Sequence, residues 1–369
     1  MKFSSHRNLL RVAQFALLAS VVTLAACGGN DDNPNMGPGY VPSNLVSDVN
    51  AASNPYSGAH TDTNLVNAWG VAFNPQGFVW VADNATSKST LYDGNGVPQT
   101  LVVSIPAGTA GPAKPTGIVF SGTQSFAVSQ GGVTGPSRFI FAGESGTIAG
   151  WAPNVNMTNA VTVLDGAASG KIYKGLAVGS NAGADRLFAA DFHNGVVDVF
   201  DATFTPVAGG FIDPNLPAGY APFGIQVIGS LVYVAYAKQD AAAEDDVAGA
   251  GLGMVNTFDL AGNLVKRLIP AGGNLNAPWG MAMAPANFGA FSNALLVANF
   301  GDGRINAYDA TTGAALGTLA TPAGTPIAID GLWGIAFGNG LNSQPVNTLF
   351  FAGGPADETH GVYGRIDVQ

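Results

Sequence analysis

The 369-residue sequence predicts an all-β fold, a six-bladed β-propeller built from four-stranded antiparallel blades. Three observations support this prediction. One short pattern occurs six times, roughly once every 50 residues. Each copy precedes further short apolar strands, and helical periodicity is missing beyond the N-terminal segment. Four short strands in a repeat of this length are typical of a propeller blade. A seven-bladed ring is the alternative.

Each repeat begins with a short apolar strand that carries a glycine at its second position. The six first strands are predicted at residues 69–73, 116–120, 174–178, 223–227, 279–283 and 333–337. Because the inner strands of a propeller crowd near its axis, a side chain at the glycine would clash. The glycines therefore mark the innermost strand of each blade.

The later strands of each repeat are also visible. Second strands are predicted at residues 78–82, 186–190, 231–235, 295–298 and 349–352. The sixth repeat supplies three strands and no fourth, whereas residues 41–49 resemble the fourth strands of other repeats. We therefore expect this N-terminal strand to complete the last blade, which removes edges that would otherwise aggregate. The propeller domain then spans residues 40–369.

The N-terminal segment has the pattern of an export signal. Basic residues precede an apolar stretch at residues 12–24, and Leu-Ala-Ala-Cys follows at residues 24–27. This motif resembles the lipobox of bacterial lipoproteins, which implies cleavage before Cys27 and lipidation of its thiol. We therefore predict a signal peptide at residues 1–26 and a flexible tether at residues 27–39. Ordinary signal cleavage beside an incidental cysteine is the alternative.

The repeats also resemble a known class of propellers. The run Ala-Asn-Phe-Gly-Asp-Gly-Arg-Ile at residues 298–305 is similar to NHL repeats, and the whole pattern resembles gluconolactonase-like propellers. It resembles most a family of exported bacterial six-bladed propellers with no assigned activity. Gly28 follows the cysteine of the lipobox-like motif, and by resemblance to enterobacterial lipoproteins this implies the outer membrane of a Gram-negative bacterium.

The composition limits the range of partners. The chain has 14 Lys and Arg residues against 24 Asp and Glu, a net charge of −10. Nucleic-acid binding requires cationic surface to neutralise phosphates, so we expect no nucleic-acid partner. The expected partners are the membrane, through Cys27, and a small molecule or envelope protein of unknown identity.

The candidate ligand face is the one at which the inner strands begin. It collects several large side chains from different repeats: Trp69, Lys174, His193, Phe223, Trp279 and Trp333. The aromatic residues could form a stacking floor for a ligand. Packing between blades is the alternative, because a repeated position usually serves the scaffold.

The same face carries oxygen ligands that suit a hard cation such as Ca²⁺. The candidates are Asp83, Asn84, Asp191, Asn299 and Asp302. The resemblance to lactonase-like propellers implies a cation that polarises a carbonyl group. Asp and Asn also favour turns for local backbone reasons, so simple turn formation is the alternative.

Two functional hypotheses follow. The first is an envelope-anchored binding or scaffold module, because no nucleophile–base motif is recognisable and no catalytic residue can be named. The second is a metal-dependent hydrolase of lactonase or esterase type that uses the axial face.

Residues 238–253 are interpreted as an insertion in a loop of the fourth blade, on that same face.

The lipidation hypothesis leads to a first prediction. Replacing the only cysteine, Cys27→Ser, should move the protein from the membrane fraction to the soluble fraction, because the acyl chains contribute about 0.8 kcal/mol per buried methylene. Fractionation of an expressing bacterial host measures this. A Cys27→Ser protein that stays with the membrane would contradict lipid anchoring.

Overall fold

The computed structural model describes residues 39–49, 51 and 54–369. The predicted signal peptide and all but the last residue of the predicted tether, together with Cys27, lie outside the described residues. Six blades of antiparallel strands surround an axis, which confirms the predicted fold class.

In each blade the first strand lies nearest the axis and the fourth lies outermost. Blade 1 comprises Ala68–Phe73, Val79–Asp83, Lys88–Tyr92 and Val103–Ser104. Blade 2 comprises Pro115–Phe120, Phe139–Gly143, Thr147–Trp151 and Val161–Asp165. Blade 3 comprises Tyr173–Asn181, Ala184–Asp191, Val196–Phe200 and Pro206–Val207. Blade 4 comprises Tyr220–Ile228, Leu231–Lys238, Gly253–Asp259 and Leu264–Ile269. Blade 5 comprises Pro278–Met283, Leu295–Asn299, Ile305–Tyr308 and Ala315–Thr318.

Blade 6 confirms the predicted ring closure. Its inner strands are Leu332–Phe337, Leu349–Gly353 and Val362–Val368, and its fourth strand is the N-terminal Tyr40–Ser47. The fourth strand pairs antiparallel with Val362–Val368, and His60–Thr61 adds a short parallel partner at the outer edge. Strands from both ends of the domain thus share one blade, and the ring has no open edge at its junction.

Smaller elements interrupt the repeat. Blade 2 carries an extra hairpin between its first and second strands, which the sequence patterns did not predict. The hairpin strands are Ala127–Gln130 and Val133–Pro136, and single 3-10 turns occur at Ala167–Ser169 and Gly289–Phe291. Within the described residues no helix is both long and apolar enough to cross a membrane.

The glycine of each first strand touches the neighbouring blade. A Cβ built on Gly224 would lie 2.0 Å from the carbonyl oxygen of Trp279, and one on Gly280 would lie 2.5 Å from that of Trp333. The contact repeats round the ring, at Gly70, Gly117, Gly175 and Gly334, each against the next blade's first strand. Real Cβ atoms essentially never come within 3.0 Å of another heavy atom, so any larger residue would push two blades apart.

The hydrophobic core is divided in the same way. Among the described residues, six clusters of buried side chains each lie between two adjacent blades. A seventh cluster lies at the axis and consists mainly of aromatic residues. The axial cluster occupies the face at which the first strands begin, which we call the upper face; the opposite side is the lower face.

The glycine contacts yield a prediction about stability. Gly224→Ala should lower the free energy of unfolding by about 2 kcal/mol or more, because the added methyl overlaps backbone that cannot move aside. Chemical denaturation followed by tryptophan fluorescence measures the change. Gly273→Ala is the matched control, because a Cβ there would meet nothing within 4 Å. Equal stability of the two variants would contradict the account of the ring.

Candidate functional site: the axial upper face

Two repeat positions build the centre of the upper face. The inner ring is the residue before the glycine of each first strand: Trp69, Thr116, Lys174, Phe223, Trp279 and Trp333, all of them buried. The second ring is the residue that follows the second strand of each blade: Asn84, Glu144, Phe192, Gln239, Phe300 and Gly354. The two rings lie on one face because antiparallel strands bring the start of the first strand and the end of the second together.

At three junctions between blades, a residue of the second ring contacts the inner-ring residue of the next blade. Phe192 of blade 3 packs on Phe223 of blade 4, with ring centroids 5.0 Å apart, and Phe300 of blade 5 stacks on Trp333 of blade 6 at 3.9 Å. At the junction of blades 2 and 3 the same two positions hold Glu144 and Lys174, which form an ion pair. Of these three junctions, the one between blades 2 and 3 has a charged pair, and the other two have an aromatic contact.

The predicted aromatic residues are brought together. Trp69 and Trp333 stack with centroids 3.4 Å apart, and Trp279 meets both edge-on, at 5.8 and 5.9 Å. They are at most 8% exposed, so they pack against one another rather than present open faces. Their three indole N–H groups are buried and have no hydrogen-bond partner among the described residues.

Lys174 is the charged centre of this aromatic cluster. Its ammonium lies 2.5 Å from Glu144 Oε1 and 3.0 Å from Asp245 Oδ1, and 5.3 Å from the centroid of the Trp69 ring. Burial alone would lower the pKa of Lys174, but the charges and hydrogen bonds of Glu144 and Asp245 outweigh burial and raise it. The side chain is therefore an ammonium at neutral pH, a cation held over an aromatic face.

The predicted insertion at residues 238–253 supplies part of this network. Gln239 Nε2 donates to the Phe192 carbonyl at 2.5 Å, and the backbone N–H of Gly249 donates to Asn276 Oδ1 at 2.7 Å. These contacts fix the insertion to blade 3 and to the loop that leads into blade 5, and they bring Asp245 to Lys174. The insertion is thus part of the site's wall rather than a free loop.

Further carboxyl groups surround the same centre. Burial raises the pKa of Asp246 to about 7, a shift that nearby Lys174 partly offsets. Burial likewise raises the pKa of Glu358, while a hydrogen bond from Asn67 acts in the opposite direction. Asn84 Nδ2 donates to the second oxygen of Glu144, at 3.1 Å. Acidic groups therefore accumulate round the buried ammonium of Lys174.

The five candidate metal ligands lie near the ends of the second strands of three blades, blades 1, 3 and 5. Asp191 bonds to Lys171 and Asn194, at 3.3 and 2.8 Å, and Asp302 accepts a hydrogen bond from Asn299 Nδ2 at 3.1 Å. Asp83 is buried within blade 1, where it accepts from Thr90 and where burial raises its pKa well above the usual range.

Asn84, the fifth candidate, belongs to the Lys174 network. In the part of the chain that the structure describes, no group of three or more His, Cys, Asp or Glu residues could hold a metal ion. The donor set therefore does not fit the expected Ca²⁺, because its three carboxylates belong to three different blades and are not grouped.

His193 lies at the margin of the site. Its Nδ1 is 3.3 Å from the carbonyl oxygen of Ala243 in the insertion, and its ring is half-buried beside Gly170. It thus contacts the backbone of the insertion at Ala243.

A groove opens beside the Lys174 network, between blade 2 and the insertion. It has a volume of about 250 Å³ and is lined by Lys114, Glu144, Ser145, Glu244 and Asp245, together with Ala110, Pro112 and Ile172. Lys114 and Glu244 are exposed. A ligand in this groove would meet three carboxylates and one exposed ammonium.

Sequence reasoning missed Glu144, Asp245, Asp246 and Glu358. One signal could have found Glu144. The second strands of blades 3 and 5 end in Ala-Asp and Ala-Asn, and a Phe follows each. In blade 2 the aligned run is Ala-Gly followed by Glu, at residues 142–144. The carboxylates of the insertion have no counterpart in the repeat, so only the folded chain brings them to the axis.

Comparison with solved structures supports the fold. The chain is similar to a structural genomics protein of unknown function from Bacteroides thetaiotaomicron, with TM-score 0.55, 11% identity and coverage of 90% of this chain and 76% of that one. It is also similar to a PQQ-bound aldose sugar dehydrogenase from Streptomyces coelicolor, with TM-score 0.51, 13% identity and coverage of 90% and 99%. A gluconolactonase from Xanthomonas campestris has TM-score 0.50, 14% identity and coverage of 90% and 97%. At these identities the likeness concerns the fold alone.

Comparison with curated sequences identifies relatives of higher identity. No family model matches the chain. "Uncharacterized protein R648" of Acanthamoeba polyphaga mimivirus is 35% identical over 319 residues, covering 84% of this chain and 76% of the relative. "Uncharacterized protein L690" of the same virus is 32% identical over 320 residues, covering 84% and 82%. Both relatives are viral proteins, whereas the sequence resemblance led us to expect exported bacterial ones. The chain belongs to the same protein family as these two mimivirus proteins.

Proposed function

We propose that this protein is a binding module, anchored to the cell envelope through Cys27, whose upper face recognises ligands that carry protonated amino or guanidinium groups. The observation that carries the proposal is the carboxylate-lined groove beside the Lys174 network. Export and lipidation are supported by the lipobox-like motif at residues 24–27.

The charges of the groove favour a cationic ligand. Glu144, Glu244 and Asp245 outnumber the two ammonium groups that they meet, Lys114 and the buried Lys174, and the whole chain has a net charge of −10. Such a field attracts cations and raises their local concentration. Lys174 itself illustrates the chemistry, since its ammonium is held by two of these carboxylates over the Trp69 ring.

The state of the site supports recognition rather than reaction. The raised pKa of Lys174 keeps its nitrogen protonated, so that it has no lone pair with which to attack a substrate. The metal-dependent hydrolase hypothesis relied on five oxygen ligands, which belong to three different blades and form no metal-binding group among the described residues. The binding hypothesis therefore has the stronger support.

The proposal predicts opposite effects of two substitutions in the groove. With spermidine as the probe, Glu244→Gln should weaken binding and Lys114→Met should strengthen it, each by about two- to fivefold, which is typical of exposed charges. Isothermal titration calorimetry at low salt measures both, and added salt should weaken spermidine binding by the wild type and by both variants.

Lys266→Met is the matched control for the lysine change, because Lys266 is exposed on blade 4 and bonds to the backbone of residues 311 and 312. Binding that responds equally to Lys114→Met and Lys266→Met would reflect net charge alone and would contradict a groove site. A spermidine affinity that stays the same in both groove variants would also contradict a groove site.

A further inference from the structure

We propose a second binding site on the lower face, between blades 1 and 2, for a small planar aromatic anion such as an aryl carboxylate. The site is a cavity of about 600 Å³, which lies within the range of ~300–1,000 Å³ usual for small-molecule pockets. It is independent of the upper-face groove and shares no residue with it.

Aromatic rings form the wall of this cavity. Trp80 stacks on Phe139 with centroids 4.1 Å apart and lies 4.7 Å from Trp151. Phe120 meets Phe139 edge-on at 5.4 Å, and Phe78 also lines the space. Phe78 and Phe120 are only partly buried, so part of each ring is open to the cavity. Such a wall suits the flat face of an aromatic ligand.

Local chain features keep the cavity open. The rim is formed by the turn at residues 74–77, by Pro153 and by Gly122, which lies just beyond the first strand of blade 2. A Cβ on Gly122 would meet only the ring of Phe120, at 3.4 Å, so the glycine leaves space that a larger side chain would fill. Gly122 thus adds no side chain to the rim.

Arg138 gives the cavity its chemical preference. It is half-buried, lines the cavity and donates a hydrogen bond from Nη1 to the Thr123 carbonyl at 3.3 Å. None of the ion pairs among the described residues includes Arg138. A guanidinium has five N–H donors, and its planar fork matches a carboxylate in bidentate geometry.

The rest of the lining points to the same ligand. Of the residues that the structure describes, no Asp or Glu lines the cavity, although the chain has 24 of them. A carboxylate entering this space would therefore meet one cation and no repelling charge. The ring of the ligand would lie against Phe78 and Phe120, the partly exposed aromatic residues of the lining, and its carboxylate would face Arg138.

The test uses 2-naphthoate as the probe and the full-length protein. Saturable binding is expected by calorimetry, with quenching of tryptophan fluorescence, because two of the five tryptophans line the cavity. Arg138→Gln should weaken 2-naphthoate binding at least about tenfold, the loss expected for a charge-assisted hydrogen bond. Arg186→Gln is the matched control, because Arg186 is also half-buried and donates to a backbone carbonyl, that of Asp185.

Two further measurements separate the ring from the charge. The neutral analogue 2-naphthalenemethanol should bind the wild type and Arg138→Gln with similar, weaker affinity. Gly122→Leu, which places a side chain at the rim and leaves Arg138 in place, should weaken binding of both probes while circular dichroism shows an intact fold. No saturable binding of 2-naphthoate at millimolar concentration, or equal losses in Arg138→Gln and Arg186→Gln, would overturn the proposal.

Discussion

The whole molecule depends on the close approach of six inner strands at the axis. Each strand presents a glycine to the next blade, and a Cβ at these glycines would lie 2.0 to 2.8 Å from its neighbour. This contact brings the residue before each glycine to the axis. The inner ring of the upper face is therefore a direct consequence of how tightly the blades pack.

The charged groups of the upper face lie where the sequence departs from the repeat. At the junctions of blades 3 with 4 and 5 with 6, the two rings meet through aromatic pairs, which stabilise by burial and ring geometry. Blades 2 and 3 place Glu144 and Lys174 at the same positions. A buried ion pair costs desolvation that an aromatic pair does not, so stability alone does not explain it. The pair instead brings charge to a surface where the insertion adds Asp245 and Asp246.

The sequence was sufficient to predict what the repeat determines. Blade number, ring closure by the N-terminal strand, and the clustering of Trp69, Trp279 and Trp333 all follow from positions that recur along the chain. The partners of Lys174 do not recur. Asp245 comes from an insertion and reaches the axis only through contacts such as that of Gln239 with Phe192.

The candidate metal ligands were predicted from recurring positions, but they do not form one site. Asp191 and Asp302 both lie near the ends of second strands, which suggested a shared centre. Each is instead used locally, by Asn194 and by Asn299. Short-range hydrogen bonds of Asp and Asn compete with ligand binding for the same oxygens, and sequence spacing does not distinguish the two uses. The cavity beside Arg138 could not be predicted either, because it arises between two blades.

The most direct test of the account is a double-mutant cycle between Lys174 and Glu144, measured as the free energy of unfolding at pH 7. Lys174→Met and Glu144→Leu are each expected to destabilise, and the double variant should be less destabilised than their sum. The account predicts a coupling energy of about 1.5–3 kcal/mol, as for a hydrogen bond between charged groups. Additive effects, with a coupling energy below about 0.5 kcal/mol, would show that the two residues act independently and would contradict the ion pair as the organising centre of the upper face.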